Sequence, residues 1–307
     1  MHNMASLVGL LNVDKPAGIT SREAVDRIER LTRPARCGHA GTLDPLATGV
    51  LVVCVGPATR LIQYVQQLPK HYRSTFLLGQ RSVTDDTDGE VEILDDAPQP
   101  TRDQIEAALP RFLGDIQQVP PAHSAIKIGG ERAYDLARRG ERFELPPRTV
   151  TIHSLKIVEY QFPVLELEVV CGGGTYMRSL GRDLAAALGT AAVMSALVRT
   201  AIGPFTVEGA VSLNGLDADT LRLHLQPPLA AVGHLARVEL NDKQLTELRH
   251  GRPINAPRSG RGAGGSSPGG PPVTNSEYAG VDLTGRLAAI LFEKHPGQLW
   301  PARNFEC

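Results

Sequence analysis

Cysteine is scarce and scattered: four occur in 307 residues, Cys37, Cys54, Cys171 and Cys307. They make neither a disulfide framework nor a zinc pattern, so a reducing compartment is expected. Long apolar runs are also missing. None approaches the roughly 20 residues that span a bilayer. No basic segment leads into an apolar one at the start, so no signal peptide is read. Charge of one sign is not in excess, since 32 Lys and Arg face 33 Asp and Glu for a net −1. That balance does not announce a nucleic-acid binder. There is no Gly-Lys-Ser/Thr phosphate loop and no dinucleotide fingerprint. Metal is not expected either: Cys37 and His39 lie close together, but no second ligand pair follows at the usual spacing.

What is present describes a globular chain. Apolar residues make up 42% and charged residues 21%, in a length that holds one large or two ordinary domains. Charge is unevenly spread. Asp85, Asp86, Asp88, Glu90, Glu92, Asp95 and Asp96 crowd one segment and leave positive charge in excess elsewhere. Only six of the 32 basic residues are Lys. Arg grips phosphate in a planar fork, which gives weak support for an RNA partner.

The chain is organised around Gly38-His39-Ala40-Gly41-Thr42-Leu43-Asp44-Pro45-Leu46-Ala47-Thr48-Gly49-Val50-Leu51. Glycines bracket the acid Asp44, where the backbone needs positive φ or close approach. The apolar run Val50–Val55 follows and reads as a buried strand. A carboxylate on a loop pinned to a core strand is a good mount for a reactive group. The plainer reading makes Asp44 a helix N-cap with Pro45 at the first helical position. The two readings are compatible. The whole string closely resembles the active-site motif of the TruB family, tRNA pseudouridine-55 synthases, whose G-H-x-G-x-L-D-P-x-A-x-G carries the catalytic Asp.

Elsewhere the chain reads in order. Leu7–Val13 is a strand ending in the turn at Asp14–Gly18. Thr20–Glu23 forms a capping box for a helix carrying Val25, Ile28 and Leu31. Arg22, Arg27, Arg30, Arg33 and Arg36 make a basic stripe, which is a solvated face or a phosphate-facing one. Ser74–Gly79 is a strand. The acidic turn Gln80–Gly89 partly mimics a calcium loop, but Thr84 holds the first ligand position and no helices flank it. A polar hairpin into Glu90–Leu94 is preferred. Thr101–Gln104 is a second capping box, and Pro110 should end its helix. Gly129–Gly140 reads as a short helix, rich in Arg and carrying Tyr134. Basic residues interleaved with aromatics suit looped RNA. Thr149–Tyr160 and Val164–Cys171 pair as strands. Gly172–Gly174 then leads into a helix to Leu188, as a tight turn or an anion site. Asp217–Gly233 is a helical connection. Asp242–His250 is a short helix closed by Gly251. Residues 258–272 are too rich in Gly, Ser and Pro to pack. Leu287–Phe292 and Trp300–Phe305 read as strands.

The resemblance covers about residues 7–212 and implies a fold. This is an α+β pseudouridine synthase fold with a mixed, largely antiparallel central sheet flanked by helices. A small β-rich PUA-like domain follows at 236–307, after a catalytic domain at 1–235 with an RNA-clamping insertion at about 120–148. It implies Asp44 as the catalytic nucleophile. It also implies substrate-binding roles for His39, Tyr72, Tyr176, Arg178, Leu197, Lys15 and Lys127. Tyr72 would stack on the extruded uracil, and His39 would fill the space it leaves. Arg178, from the G-T-Y-x-R string, would partner Asp44, with Asp86 as the acid near it. Leu197 would pack beside the base. The family usually has Tyr where this chain has His123.

The implied reaction needs no cofactor. Uridine isomerisation breaks the N1–C1′ bond, turns the base over and joins C5 to C1′, without redox chemistry. An Asp, with an unperturbed pKa near 3.9, is ionised at neutral pH and needs no partner base. A nearby Arg favours its charged form. The target must leave its stack, as for other enzymes that act on a base. The partner implied is the tRNA T stem-loop, with no membrane, no protein partner required, a monomer and a cytoplasmic location. The alternatives are a guide-RNA-dependent rRNA pseudouridylase and a non-catalytic RNA-binding or chaperone protein. A glycoside hydrolase fits poorly, because it needs two facing carboxylates and only one sits in a suitable motif.

Overall fold

A computed structural model describes residues 7–122, 127–128, 131–132, 139, 143, 145–256 and 277–305. His123, Tyr134, the side chain of Lys127 and the segment 258–272 lie outside the described residues. In chain order the first strands are β1 (Gly9–Lys15), β2 (Cys37–His39), β3 (Thr48–Val55), β4 (Lys70–Leu78), β5 (Gln80–Arg81) and β6 (Glu92–Ile93). Next come β7 (Gly114–Gln118), β8 (Lys127–Ile128), β9 (Glu131–Arg132), β10 (Arg148–Gln161), β11 (Val164–Cys171), β12 (Ala192–Ile202), β13 (Phe205–Thr206) and β14 (Val211–Ser212). The last are β15 (Ala236–Glu239), β16 (Ile254–Asn255), β17 (Glu277–Val281), β18 (Leu287–His295) and β19 (Gln298–Asn304). Helices are α1 (Ser21–Thr32), α2 (Ile62–Gln67), α3 (Arg102–Ala108), α4 (Met177–Ala187), α5 (Ala218–His224) and α6 (Asp242–Arg249).

The large sheet has the order β14-β1-β3-β12-β4-β11-β10-β7, with β2 on β3 and β13 on β12. Among the described residues of this sheet only β1–β14 and β3–β12 pair in parallel, so the sheet is mixed and largely antiparallel, as expected. β3 explains why its sequence is a continuous apolar run. Val50, Val52 and Cys54 enter one core cluster, while Leu51, Val53 and Val55 enter another. Both faces of the strand are covered, so alternation disappears. A third core, holding Phe76, Leu167, Val169, Leu180 and Leu184, packs α4 against β4 and β11.

Local signals behave as their chemistry dictates. Both capping boxes form, at Thr20 with Glu23 and at Thr101 with Gln104. α3 ends at Ala108, and Pro110 lies in the 3₁₀ turn that follows. The acidic segment is bounded by the β5–β6 pair, as the hairpin reading expects. One expectation changes. Glu131–Arg132, read as helix, is a strand paired with Lys127–Ile128. The rest of that stretch lies largely outside the described residues. Arg22 pairs with Asp26 at 2.7 Å and with Glu29 at 3.5 Å on an exposed helix face, which fits the solvated-face reading of the stripe.

The C-terminal sheet has the order β15-β17-β18-β19-β16. It has its own core around Leu240, Leu248 and Leu291. Its other face shares a cluster with the large sheet through Ala279, Leu287, Ile290 and Phe305. Tyr64 donates to Glu277 Oε1 at 3.0 Å, and Arg60 donates to the Asn304 carbonyl at 3.0 Å across the same contact. Among the described residues no helix is long and apolar enough to cross a membrane.

Candidate active site

The loop between β2 and β3 carries Asp44. Gly41 and Gly49 bracket it with φ of +134° and +94°, values that strain any side chain with a Cβ. A Cβ on Gly49 would also lie 2.3 Å from the Arg199 carbonyl oxygen. Between the glycines the chain makes no helix. The Ala47 amide donates to the Asp44 carbonyl at 3.1 Å. Pro45 thus holds the second position of a β-turn, where its fixed φ fits. The N-cap reading of Asp44 is therefore replaced by a turn.

Three side chains fix this loop. Ser21, at the start of α1, donates to the Leu43 carbonyl at 3.0 Å and accepts from the Leu43 amide at 2.8 Å. Lys15 is fully buried and donates to the carbonyls of Pro16, Ile19 and Pro45 at 2.9, 2.8 and 3.4 Å. Arg199, only 1% exposed, donates to Val50, Gly41 and Thr42 carbonyls at 2.7, 3.0 and 3.3 Å. Its Nη1 also lies 3.5 Å from the Tyr72 hydroxyl. Buried polar groups need such partners, and here the partners are the loop backbone itself.

The side chain of Asp44 turns the other way and stays 36% exposed. Its Oδ2 lies 2.9 Å from Arg178 Nη2, a guanidinium only 6% exposed. Arg178 Nη1 reaches Asp86 Oδ2 at 3.2 Å and the Thr84 carbonyl at 2.9 Å. Asp86 is anchored in turn by the Thr84 hydroxyl at 2.5 Å and the Asp88 amide at 3.1 Å. Arg178 sits in the first turn of α4. The approach to that helix is set by Gln118, which accepts from the Tyr176 amide at 2.8 Å and donates to its carbonyl at 3.1 Å. Gln118 thus occupies a donor at the helix entrance, which favours the turn reading of Gly172–Gly174 over an anion site.

Asp44 opens into a cavity of about 160 Å³ walled by Thr42, Tyr72, Tyr176, Arg178, Met194 and Leu197, among others. The wall combines one exposed carboxylate, one buried cation, two aromatic rings and apolar Leu197 and Met194. A flat polar ring can be sandwiched and a charge delivered to its edge. The electrostatics around the wall are uneven. Burial pushes the Lys15 ammonium down to about 8, against the pull of Asp44. Burial raises the Tyr72 phenol, partly opposed by the Arg199 charge. Burial, and then Arg199, lower the His39 imidazole. Burial and the neighbouring Asp86 and Asp44 raise the Asp88 carboxyl.

Of the residues singled out in the sequence, Asp44, Tyr72, Tyr176, Arg178 and Leu197 converge on this cavity. Asp86 meets Arg178, as the family motif implies. His39 ends β2, half-buried, one loop away from the wall. Lys15 is packed behind the loop, and its ammonium is occupied by backbone carbonyls. Sequence reasoning gave no part in the site to Ser21, Thr42, Thr175, Met177, Met194 or Arg199. A buried position on a strand marks Arg199 only after the register of β12 is known.

A family model described as the TruB family pseudouridylate synthase N-terminal domain matches residues 29–177. A tRNA pseudouridine synthase B from Dehalococcoides mccartyi is 38% identical over 301 residues, 97% of this chain and 96% of that protein. One from Arthrobacter sp. is 43% identical over 93% of this chain and 92% of that protein. Among solved structures, an H/ACA RNP bound to a substrate RNA containing 2′-deoxyuridine aligns with a TM-score of 0.72 at 26% identity. That match covers 97% of this chain and 85% of that one. The Asp44 loop, the Arg178 pair facing it and the near full-length identity agree, and the chain belongs to the TruB family of pseudouridylate synthases.

Proposed function

We propose that this chain converts uridine 55 in the T loop of tRNA to pseudouridine, with Asp44 as the catalytic residue. The observation that carries the reading is the Asp44 carboxylate, open to a cavity and 2.9 Å from the buried Arg178 guanidinium. Asp44 supplies the electron pair that starts cleavage of the N1–C1′ bond. The pair of the broken bond leaves on N1, the base turns, C5 bonds to C1′ as Asp44 recovers its pair and is freed, the C5 proton leaves and N1 gains a proton. Atoms and electrons balance without an oxidant or a cofactor.

The uridine leaves its stack to reach Asp44. Tyr72 and Tyr176 supply ring faces for it, Leu197 packs at its edge, and His39 takes the space it leaves in the RNA. Arg178 holds Asp44 in register. Lys15 acts from behind, as a positioning residue for the loop. Lys127 belongs to the substrate-binding set, in the insertion at about 120–148. Residues 1–235 form the catalytic domain and 236–307 a PUA-like domain that adds RNA affinity. The chain acts as a monomer in the cytoplasm, with no protein partner.

A second reading is a guide-RNA-dependent pseudouridylase, because a Cbf5–Nop10–Gar1 complex is also similar, with a TM-score of 0.69 at 26% identity. The tRNA reading is favoured by the higher identity to tRNA pseudouridine synthase B proteins. The deciding experiment treats an unmodified tRNA transcript with the pure protein and maps pseudouridine by mass after carbodiimide labelling, because the isomer has the mass of uridine. Pseudouridine at position 55 without guide RNA or other protein supports the proposal. No product, or product only with a guide RNA, refutes it.

A further inference from the structure

Arg178 has an outer neighbour on α4 that the reaction as described does not use. Arg178 and Arg182 are one helical turn apart, on the same face of α4. Across from them stand two consecutive acids, Asp85 and Asp86, in the turn after β5. Arg178 Nη1 takes Asp86 Oδ2 at 3.2 Å, and Arg182 Nη1 takes Asp85 Oδ2 at 2.9 Å. Consecutive residues ordinarily point to different sides. Here Asp85 adopts φ +60°, a left-handed conformation that a residue with a Cβ resists. That conformation lets both acids meet the helix.

The turn is tied to the cavity wall by its backbone. The Met194 amide donates to the Asp85 carbonyl at 3.0 Å, and the Thr87 amide donates to the Met194 carbonyl at 3.1 Å. Met194 lines the cavity itself. Arg182 also reaches a second segment. Its Nη2 donates to the Val119 carbonyl at 2.8 Å, a carbonyl that Ser179 shares at 2.8 Å. Arg182 Nε meets Asp183 Oδ1 at 3.0 Å. One guanidinium therefore joins the acidic turn, helix α4 and the end of β7. It also offsets the crowding of negative charge from Asp44, Asp85, Asp86, Asp88 and Asp183.

We propose that Arg182 is a positioning residue for pseudouridine formation, holding the Asp85–Asp86 turn so that Asp86 fixes Arg178 against Asp44. The inference rests on the functional reading above. Without the outer ion pair, Asp85 is a half-buried acid in a strained backbone, left with only the weaker pull of the Arg178 charge. The turn relaxes, Asp86 leaves Arg178, and the Arg178–Asp44 contact loses its constraint. Substrate affinity is little changed, because neither Arg182 nor Asp85 lines the cavity.

The test compares wild type, Arg182→Gln, Asp85→Asn, the double variant and Arg182→Lys. Single-turnover formation of pseudouridine on tRNA transcript and tRNA affinity are measured in each, with amide hydrogen exchange over residues 84–88 and 194. Arg182→Gln is expected to slow the bound reaction about tenfold or more while the Kd for tRNA stays within about twofold. The double variant should be no slower than Arg182→Gln, since one interaction is removed twice. Arg182→Lys should recover part of the rate, by restoring charge toward Asp85. Exchange at Thr87 and Met194 should speed up in step with the loss. Single-turnover rates within twofold of wild type, or additive losses in the double variant, overturn the inference while leaving the functional reading intact. A parallel fall of rate, affinity and thermal midpoint also overturns it, because that is the mark of a merely structural residue. A wild-type chain that makes no pseudouridine overturns the functional reading and this role with it.

Discussion

Arg199→Met removes the cation behind the Asp44 loop and keeps most of the side-chain volume. Arg199 makes three bonds to loop and strand carbonyls, at 2.7, 3.0 and 3.3 Å. Charge-assisted bonds of this kind contribute about 1.5–3 kcal/mol each. Their full sum is not lost, because the variant also escapes the cost of burying a guanidinium. A net loss of about 3 kcal/mol is expected. For a chain of this size that lowers the thermal midpoint by about 5 °C. The kinetic effect is larger in proportion. Gly41 and Thr42 lose their anchor, and a misplacement of Asp44 by about 1 Å costs on the order of a hundredfold in rate. Thermal unfolding by circular dichroism and single-turnover pseudouridine formation read the two effects. A midpoint within about 1 °C of wild type, with a rate within about twofold, would refute the idea that Arg199 braces the loop.

Two further outcomes follow from the same geometry. Lys15 titrates near 8 in the folded chain and near 10.5 when unfolded. Between those values the unfolded chain binds more protons, so stability rises with pH. Wild type should gain about 3 kcal/mol over Lys15→Met from pH 8 to 10.5; a flat difference in urea unfolding contradicts this. Gly181→Ala would place a Cβ 2.1 Å from Phe76 Cε1, where α4 crosses β4. We expect at least about 1–3 kcal/mol of destabilisation and a slower reaction, because the helix that carries Arg178 must move. Unchanged stability would show that α4 has slack.

The parts of the fold that were legible in the sequence share one property: their signal is local. The capping boxes at Thr20 and Thr101 announce helix starts within four residues. The run Val50–Val55 announces a strand covered on both faces. Asp44, Tyr72, Tyr176, Arg178 and Leu197 were found through short strings that match a family, and they meet at one cavity. What failed depends on distant partners. Asp44-Pro45 resembles a helix start, but Arg199 and Ser21, from far along the chain, hold it as a turn. The Arg182–Asp85 pair could not be read at all, because 97 positions separate the partners and no pattern in either segment names the other.

The central claim is that one carboxylate does the chemistry while other groups hold the RNA. Asp44→Asn keeps the shape of the side chain and removes its charge. With tRNA transcript in single turnover, the variant should form no detectable pseudouridine. Its affinity for the same transcript should stay within about tenfold of wild type, because phosphate contacts lie elsewhere. Pseudouridine formed at a rate near wild type by Asp44→Asn, or binding lost in step with turnover, would contradict the account.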